Sequence, residues 1–307
     1  MKRKAIQLAN QTIVVSLPAK WVRQQGIKKG DEIDLEEKGN QLIVAFKIID
    51  KKEERAEIDV SNWNDRLIRL VLSGLNKKGF DEIVVKYDKS STAKTLEELI
   101  KNLFTGFAIV EQRINECVIK SISKDLESEF NTALRRAFLV MLGMSESCLN
   151  MIKKGKFKGL SELTSLENTN NQLTNYCERV LNKKAYDEDK KKCSLYTIIW
   201  NLEKICDEYK YICKYLSKSQ NDKNIISGKV INFFEEVNYF VNSYYEIFYK
   251  FDIQKLNGLI AEKEKIEDAG KHLLATAKGK EVLVLYYLLN IVSKTVDFSA
   301  SMFIVNS

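Results

Sequence analysis

The apolar positions of this chain change period twice, and the changes divide it into three zones. Residues 1–47 read as short strands around one turn of helix. TIVVSL is β-branched and strand-like. Ser16 and Pro18 then supply a helix start, because proline is tolerated in a first turn. AKWVRQQ continues the helix and Gly26 stops it. EIDLEE alternates apolar and acidic positions as a half-buried strand does, Gly39-Asn40 makes a turn, and QLIVAF returns.

In residues 55–122, AEIDV, EIVVKY, GFAIVEQ and ECVIKSI are strand-like. Helical patterns at WNDRLIRLVLSGLNKKG and TAKTLEELIKNLF separate the first three. This β-α-β-α-β-β order predicts a small α/β domain, with right-handed crossovers where strands are parallel. Residues 124–305 are helical. Leu126, Phe130, Leu134, Phe138, Met141, Leu142, Cys148 and Ile152 recur at steps of three and four, which makes one continuous stripe to bury. Later patterns cover 161–183, 193–217, 223–250, 252–275 and 279–305, punctuated by KKGKFKG, KKAYDEDKKK, SKSQNDKN and KGK. Six long helices with short links predict two antiparallel three-helix repeats. The expected fold is multidomain and mainly α.

Composition supports this picture: one proline and 13 glycines suit long helices, which both residues break. MKRKAIQLANQT has no long apolar stretch and is not a secretory signal. No run reaches the ~18 uncharged apolar residues of a span, VLVLYYLLNIV being the nearest. A cytoplasmic protein without membrane insertion is expected. Cys117, Cys148, Cys177, Cys193, Cys206 and Cys213 lack CxxC or His-paired spacing and read as free thiols used as small apolar residues.

A module the size of residues 1–47 buries too little apolar surface to be stable alone, and normally needs a partner chain, a metal or disulfides. It contains neither a ligand set nor a disulfide pair, so a homodimer is expected. The net charge of +7 is modest, but it is segregated. Lys2, Arg3, Lys4, Lys20, Arg23, Lys28 and Lys29 come before any acidic residue, and Asp31, Glu32, Asp34, Glu36 and Glu37 then follow. The first segment therefore suits a polyanion, and a two-fold dimer would suit a duplex with two half-sites.

Catalytic patterns are missing. GLNKKGF has the wrong order for a P-loop, and no GxGxxG occurs. With His272 as the sole histidine, Ser-His-Asp and HExxH arrangements are excluded. The run NFFEEVNYFVNSYYEIFYKF spaces its aromatics helically, which points to packing rather than base stacking. No enzyme is predicted. In NLEKICDEYK, Leu202 and Ile205 face the core while Glu203 and Asp207 lie one turn apart, a spacing also common on solvated helix faces.

Two resemblances join these zones. TIVVSLPAKWVRQQGIKKGDEIDLEEKGNQLIV resembles the AbrB/MazE/SpoVT swapped-hairpin DNA-binding domain, with the proline, both glycines and Asp31 in register. The resemblance implies that two chains interlock their hairpins, and that Lys2, Arg3, Lys4, Lys20 and Arg23 contact DNA. Val15 and Ser16 stand where an arginine and a threonine are frequent, so it does not carry DNA contact to that strand. FNTALRRAF, NNQLTNYCERVLNKKAY and the string Leu202 to Asp207 resemble archaeal PhoU-like proteins, which join an AbrB-like N-terminus to a helical bundle.

That second resemblance implies a DNA-binding regulator of phosphate uptake and phosphate homeostasis. It also implies a divalent or iron metal ion held by Glu203 and Asp207, since hard carboxylate oxygens on facing helices suit such ions. In the second repeat Asn290 and Lys294 occupy those positions, and an ammonium cannot ligate a cation. A rival reading is an adaptor that binds a phosphate transporter ATPase or a signalling kinase and uses residues 1–47 only to dimerise. A third is an antitoxin, against which the large helical half speaks.

Overall fold

The computed structural model describes residues 2–8, 12–38, 41–46, 53–122, 129–183, 189–219 and 225–307. Contacts divide the chain into two compact units, residues 1–53 and 54–307.

In the first unit, β1 (Ala5–Leu8) pairs antiparallel with β2 (Thr12–Val15), Ala5 opposite Val15. Helix α1 (Ala19–Gln25) follows, and β3 (Asp34–Lys38) pairs antiparallel with β4 (Gln41–Ala45). Pro18 is the N-cap rather than a first-turn residue; its backbone is extended and its carbonyl accepts the Val22 N–H at 3.0 Å. Ser16 does not cap the helix. Gly26 ends it in the left-handed region, with φ of 68°. The expected Gly39-Asn40 turn lies outside the described residues.

The second unit opens with a four-stranded sheet. Its strands β5 (Arg55–Asp59), β6 (Glu82–Lys86), β7 (Phe107–Arg113) and β8 (Glu116–Ser121) lie in the order β5-β6-β8-β7. β5 and β6 are parallel, and β8 runs antiparallel to both its neighbours. Helix α2 (Asp65–Lys78) links β5 to β6, and α3 (Ser90–Leu103) links β6 to β7. Asn64 caps α2 by accepting the Leu67 N–H at 2.9 Å, and Gly79 ends it at φ of 112°. Ile68, Leu72, Ile83, Val85, Leu96, Leu99 and Ile119 form the core of this layer.

The helices α4 (Phe130–Lys153), α5 (Thr164–Asn182) and α6 (Asp189–Leu216) pack on one another, as do α7 (Gly228–Tyr249), α8 (Ile253–Thr276) and α9 (Glu281–Val296). α4 on α7 and α6 on α9 join the two triples, and one apolar core runs through both. The stripe beginning at Phe130 is buried as its period requires; Leu126 lies outside the described residues. Two expectations are corrected. KKGKFKG is not only a loop, because Phe157–Leu163 forms a 3-10 turn that buries Phe157 and Leu160. The last pattern is broken at Asp297 and Phe298 into α9 and α10 (Ser299–Asn306).

Glu281–Asn306 is the one stretch among the described residues long and apolar enough to cross a membrane, with mean hydropathy 1.4. Val284, Leu285, Leu288, Ile291 and Val292 of α9 are buried in the bundle. All six cysteines are free, five of them buried and Cys193 exposed. His272 is exposed on α8.

Candidate functional site

Among the described residues 2–46 no side chain is fully buried. Ile6, Leu8, Ile13 and Val15 are exposed by 53%, 55%, 69% and 58%, too much apolar surface for a module at rest in water. The strand register shows why one chain cannot cover it. Ile6, Leu8 and Val14 lie on one face of the β1–β2 ribbon, and Ile13 and Val15 on the other. In the β3–β4 ribbon, Leu35, Leu42 and Val44 share a face opposite Ile43.

The predicted DNA contacts lie on this unit, and all are exposed. Lys2, Arg3 and Lys4 precede β1, while Lys20 and Arg23 stand one turn apart on α1. Because Ala5 is opposite Val15, the basic triplet leaves the ribbon at the end where the chain runs on into α1. Arg23 Nε donates to the Ala19 carbonyl at 3.3 Å. Lys28 and Lys29, outside the predicted set, are exposed too. Asp31, the first acidic residue, accepts the Lys28 backbone N–H at 2.7 Å and so closes the turn after α1.

The predicted metal pair is surrounded by ammonium groups. Lys204 Nζ lies 2.8 Å from Glu203 and 3.4 Å from Asp207, and Lys210 Nζ lies 2.5 Å from Asp207 and 2.9 Å from Glu167. Lys77 of α2 reaches Glu178 at 2.7 Å and Glu203 at 3.6 Å. Burial works against each lysine's charge, and the facing carboxylates more than offset it, so all three stand above the ordinary lysine pKa. Burial raises the pKa of Glu178, with Lys77 opposing. The arrangement does not fit a metal ion: the carboxylate oxygens already face cations. No group of three His, Cys, Asp or Glu side chains among the described residues is placed to hold one. At the second-repeat positions, Lys294 pairs with Glu208 at 2.8 Å and the Asn290 amide lies 3.4 Å from the same carboxylate. The sequence signalled part of this network through the i,i+3 spacing of Asp207 and Lys210, but not the arrival of Lys77.

Residues 6–53 match the family model described as antidote-toxin recognition MazE, bacterial antitoxin. The match covers the basic first unit and not the helical body. No curated protein and no solved structure matches the chain.

Proposed function

We propose that this chain is a DNA-binding transcriptional regulator that acts as a homodimer through its N-terminal domain. The observation that carries the reading is charge placement: every charged residue from Lys2 to Lys29 is basic, and each is exposed. Such a surface gains its affinity first from phosphates, through counterion release, and its register from base edges afterwards. The apolar ribbon faces supply the second element, since a partner chain covering them would double the basic surface and set two half-sites at a fixed spacing.

The finer reading is regulation of phosphate uptake, with the helical body as the sensing element and a phosphate transporter ATPase or signalling protein as its partner. Its support is the similarity of FNTALRRAF, NNQLTNYCERVLNKKAY and the Leu202–Asp207 string to PhoU-like chains. A second reading, an antitoxin-type regulator, is favoured by the description of the family that residues 6–53 match. Both readings keep the DNA contact, whereas the adaptor reading drops it.

Duplex binding measured over a salt series is the test. Affinity that falls steeply with salt, and selection of related sequences from random duplexes, supports the regulator. A dimer that ignores duplex DNA even at low salt overturns it.

A further inference from the structure

The last turns of α6 and the first turns of α9 lie side by side and bring tyrosines and lysines to one end of the bundle. The ring centre of Tyr287 is 5.8 Å from that of Tyr211 and 5.5 Å from that of Tyr286, so the three form one surface. Tyr211 and Tyr286 are 41% and 51% exposed. Val282 and Leu283 stand one turn before Tyr286 and Tyr287, are each 38% exposed, and extend the patch. Lysines frame it. Lys214 stands one turn beyond Tyr211, Lys218 follows the end of α6, and Lys278 and Lys280 precede α9, with Lys280 Nζ 5.2 Å from the Tyr215 ring centre. Lys214, Lys218 and Lys278 are exposed and pair with no carboxylate among the described residues. From Tyr209 to Ser219 and from Ala277 to Leu289 the only acidic residue is Glu281, whose carboxylate accepts the Ser227 N–H at 2.6 Å. Glu208, beneath Tyr287, is buried and taken up by Lys294. The patch is therefore both apolar and positive, without counter-ions of its own.

We propose that this end of the bundle docks on an anionic lipid surface. Tyr211, Val282, Leu283 and Tyr286 enter the headgroup layer, and Lys214, Lys218 and Lys278 meet lipid phosphates around them. Tyrosine and lysine side chains have an apolar body and a polar tip, and the boundary between headgroups and acyl chains satisfies both. α9 rests on such a surface rather than crossing it, because Val284, Leu285, Leu288, Ile291 and Val292 are committed to the bundle core. A nucleic acid fits this patch less well. The rings tilt against one another at 40° and 63° instead of offering parallel faces to successive bases, and Val282 and Leu283 gain nothing from phosphates.

The test is sedimentation of the full chain with vesicles of phosphatidylcholine alone and of phosphatidylcholine mixed with phosphatidylglycerol. The wild type is expected to bind the mixed vesicles and to leave them as salt rises. Lys214→Gln with Lys278→Gln should weaken binding about thirtyfold, roughly fivefold for each lysine withdrawn from an anionic surface. Leu283→Ser with Tyr286→Ser keeps every charge and should weaken it about tenfold through lost apolar contact. All four positions are exposed, so both variants should melt as the wild type does. Arg3→Ala with Lys20→Ala, in the first unit, should leave most of the vesicle binding in place. A wild type that stays in solution overturns the proposal. So does vesicle binding that follows Arg3 and Lys20, or that ignores Leu283 and Tyr286. Substitutions at the patch that weaken binding to an oligonucleotide and not to vesicles overturn it too. Neither patch variant alters the first unit, so a negative result leaves duplex binding untouched.

Discussion

Arg179 Nη2 stands 2.8 Å from Asp81 Oδ1, and through this pair α5 holds the edge of the α/β layer from within. The arginine is 1% exposed. Its Nη1 donates to the carbonyls of Asn76 and Phe80 at 2.9 Å and 2.7 Å, and its guanidinium lies 4.8 Å from the Phe107 ring centre. Asn76 lies in the last turn of α2, where its carbonyl also accepts the Gly79 N–H at 3.0 Å, and Phe80 lies just past the helix end, so one planar cation fastens the end of α2 and the chain that leaves it. Lys183 also pairs with Asp81, and the Asn182 amide donates to the Lys77 carbonyl at 2.8 Å.

Arg179→Met is therefore expected to cost about 3–5 kcal/mol of stability, as removal of one partner from a buried pair does. Chemical denaturation checks it. A loss under about 1 kcal/mol, the range of exposed pairs, would mean that water reaches the pair.

How much of this could be read from the sequence depended on how far apart the cooperating residues lie. The α/β order and the bundle helices were legible because their periods are local. The basic segment was legible because its residues are nearly contiguous. β1 was missed, since AIQL carries little β-branched character and finds its place only through pairing with β2. The turn at Phe157 was hidden by its flanking lysines, although Phe157 itself is fully buried. The counter-ions of Glu203 and Asp207 were hidden for a related reason. The string Leu202 to Asp207 shows the two carboxylates and Lys204, but not that Lys77 approaches from α2 or that Lys210 reaches across to α5.

Two glycines of α8 should respond to alanine with opposite signs. A Cβ at Gly270 would stand 2.6 Å from Leu289 Cδ2 and 2.6 Å from Phe233 Cζ, because α8 approaches α7 and α9 closely there. A Cβ at Gly258 would meet nothing within 4 Å. Gly258→Ala is expected to stabilise by up to about 1 kcal/mol, the helix propensity difference. Gly270→Ala gains the same propensity but overpacks, and is expected to lose about 1–3 kcal/mol net. Paired urea melts of the two variants decide it.

The lysine bridges predict an alkaline limit. Lys77, Lys204 and Lys210 stand above the ordinary lysine value of 10.5, so in the folded chain they hold their protons longer than in the unfolded one. A group with a raised folded pKa contributes stability that is complete below the unfolded value and is lost as pH rises through the folded one. Stability from these bridges should therefore hold steady from neutral pH up to 10.5 and decline above it. Lys210→Met should be less stable at neutral pH and lose less on the alkaline side, so that the two urea-stability curves converge. Tyr209, whose pKa burial also raises, titrates in both proteins and cancels from the comparison. Curves that stay parallel would remove Lys210 from the alkaline limit.

The ribbon faces of the N-terminal unit make the last prediction, because dimerisation and DNA contact can be broken separately there. Ile13 is 69% exposed in the single chain and shares its face with Val15. A partner chain that covers this face would have to bury any charge placed on it, at a cost of several kcal/mol per unpaired ion. Ile13→Lys is thus expected to shift the protein to monomer in sedimentation, and to lower duplex affinity through loss of the second half-site. Arg3→Ala with Lys20→Ala removes charge from exposed positions and should leave the dimer intact. Each lost phosphate contact lowers the salt slope by roughly one, so the doubly substituted dimer should lose about 4. Sedimentation and a salt series on both variants separate the two effects. An Ile13→Lys protein that remains dimeric with unchanged affinity would put the interface elsewhere in the chain.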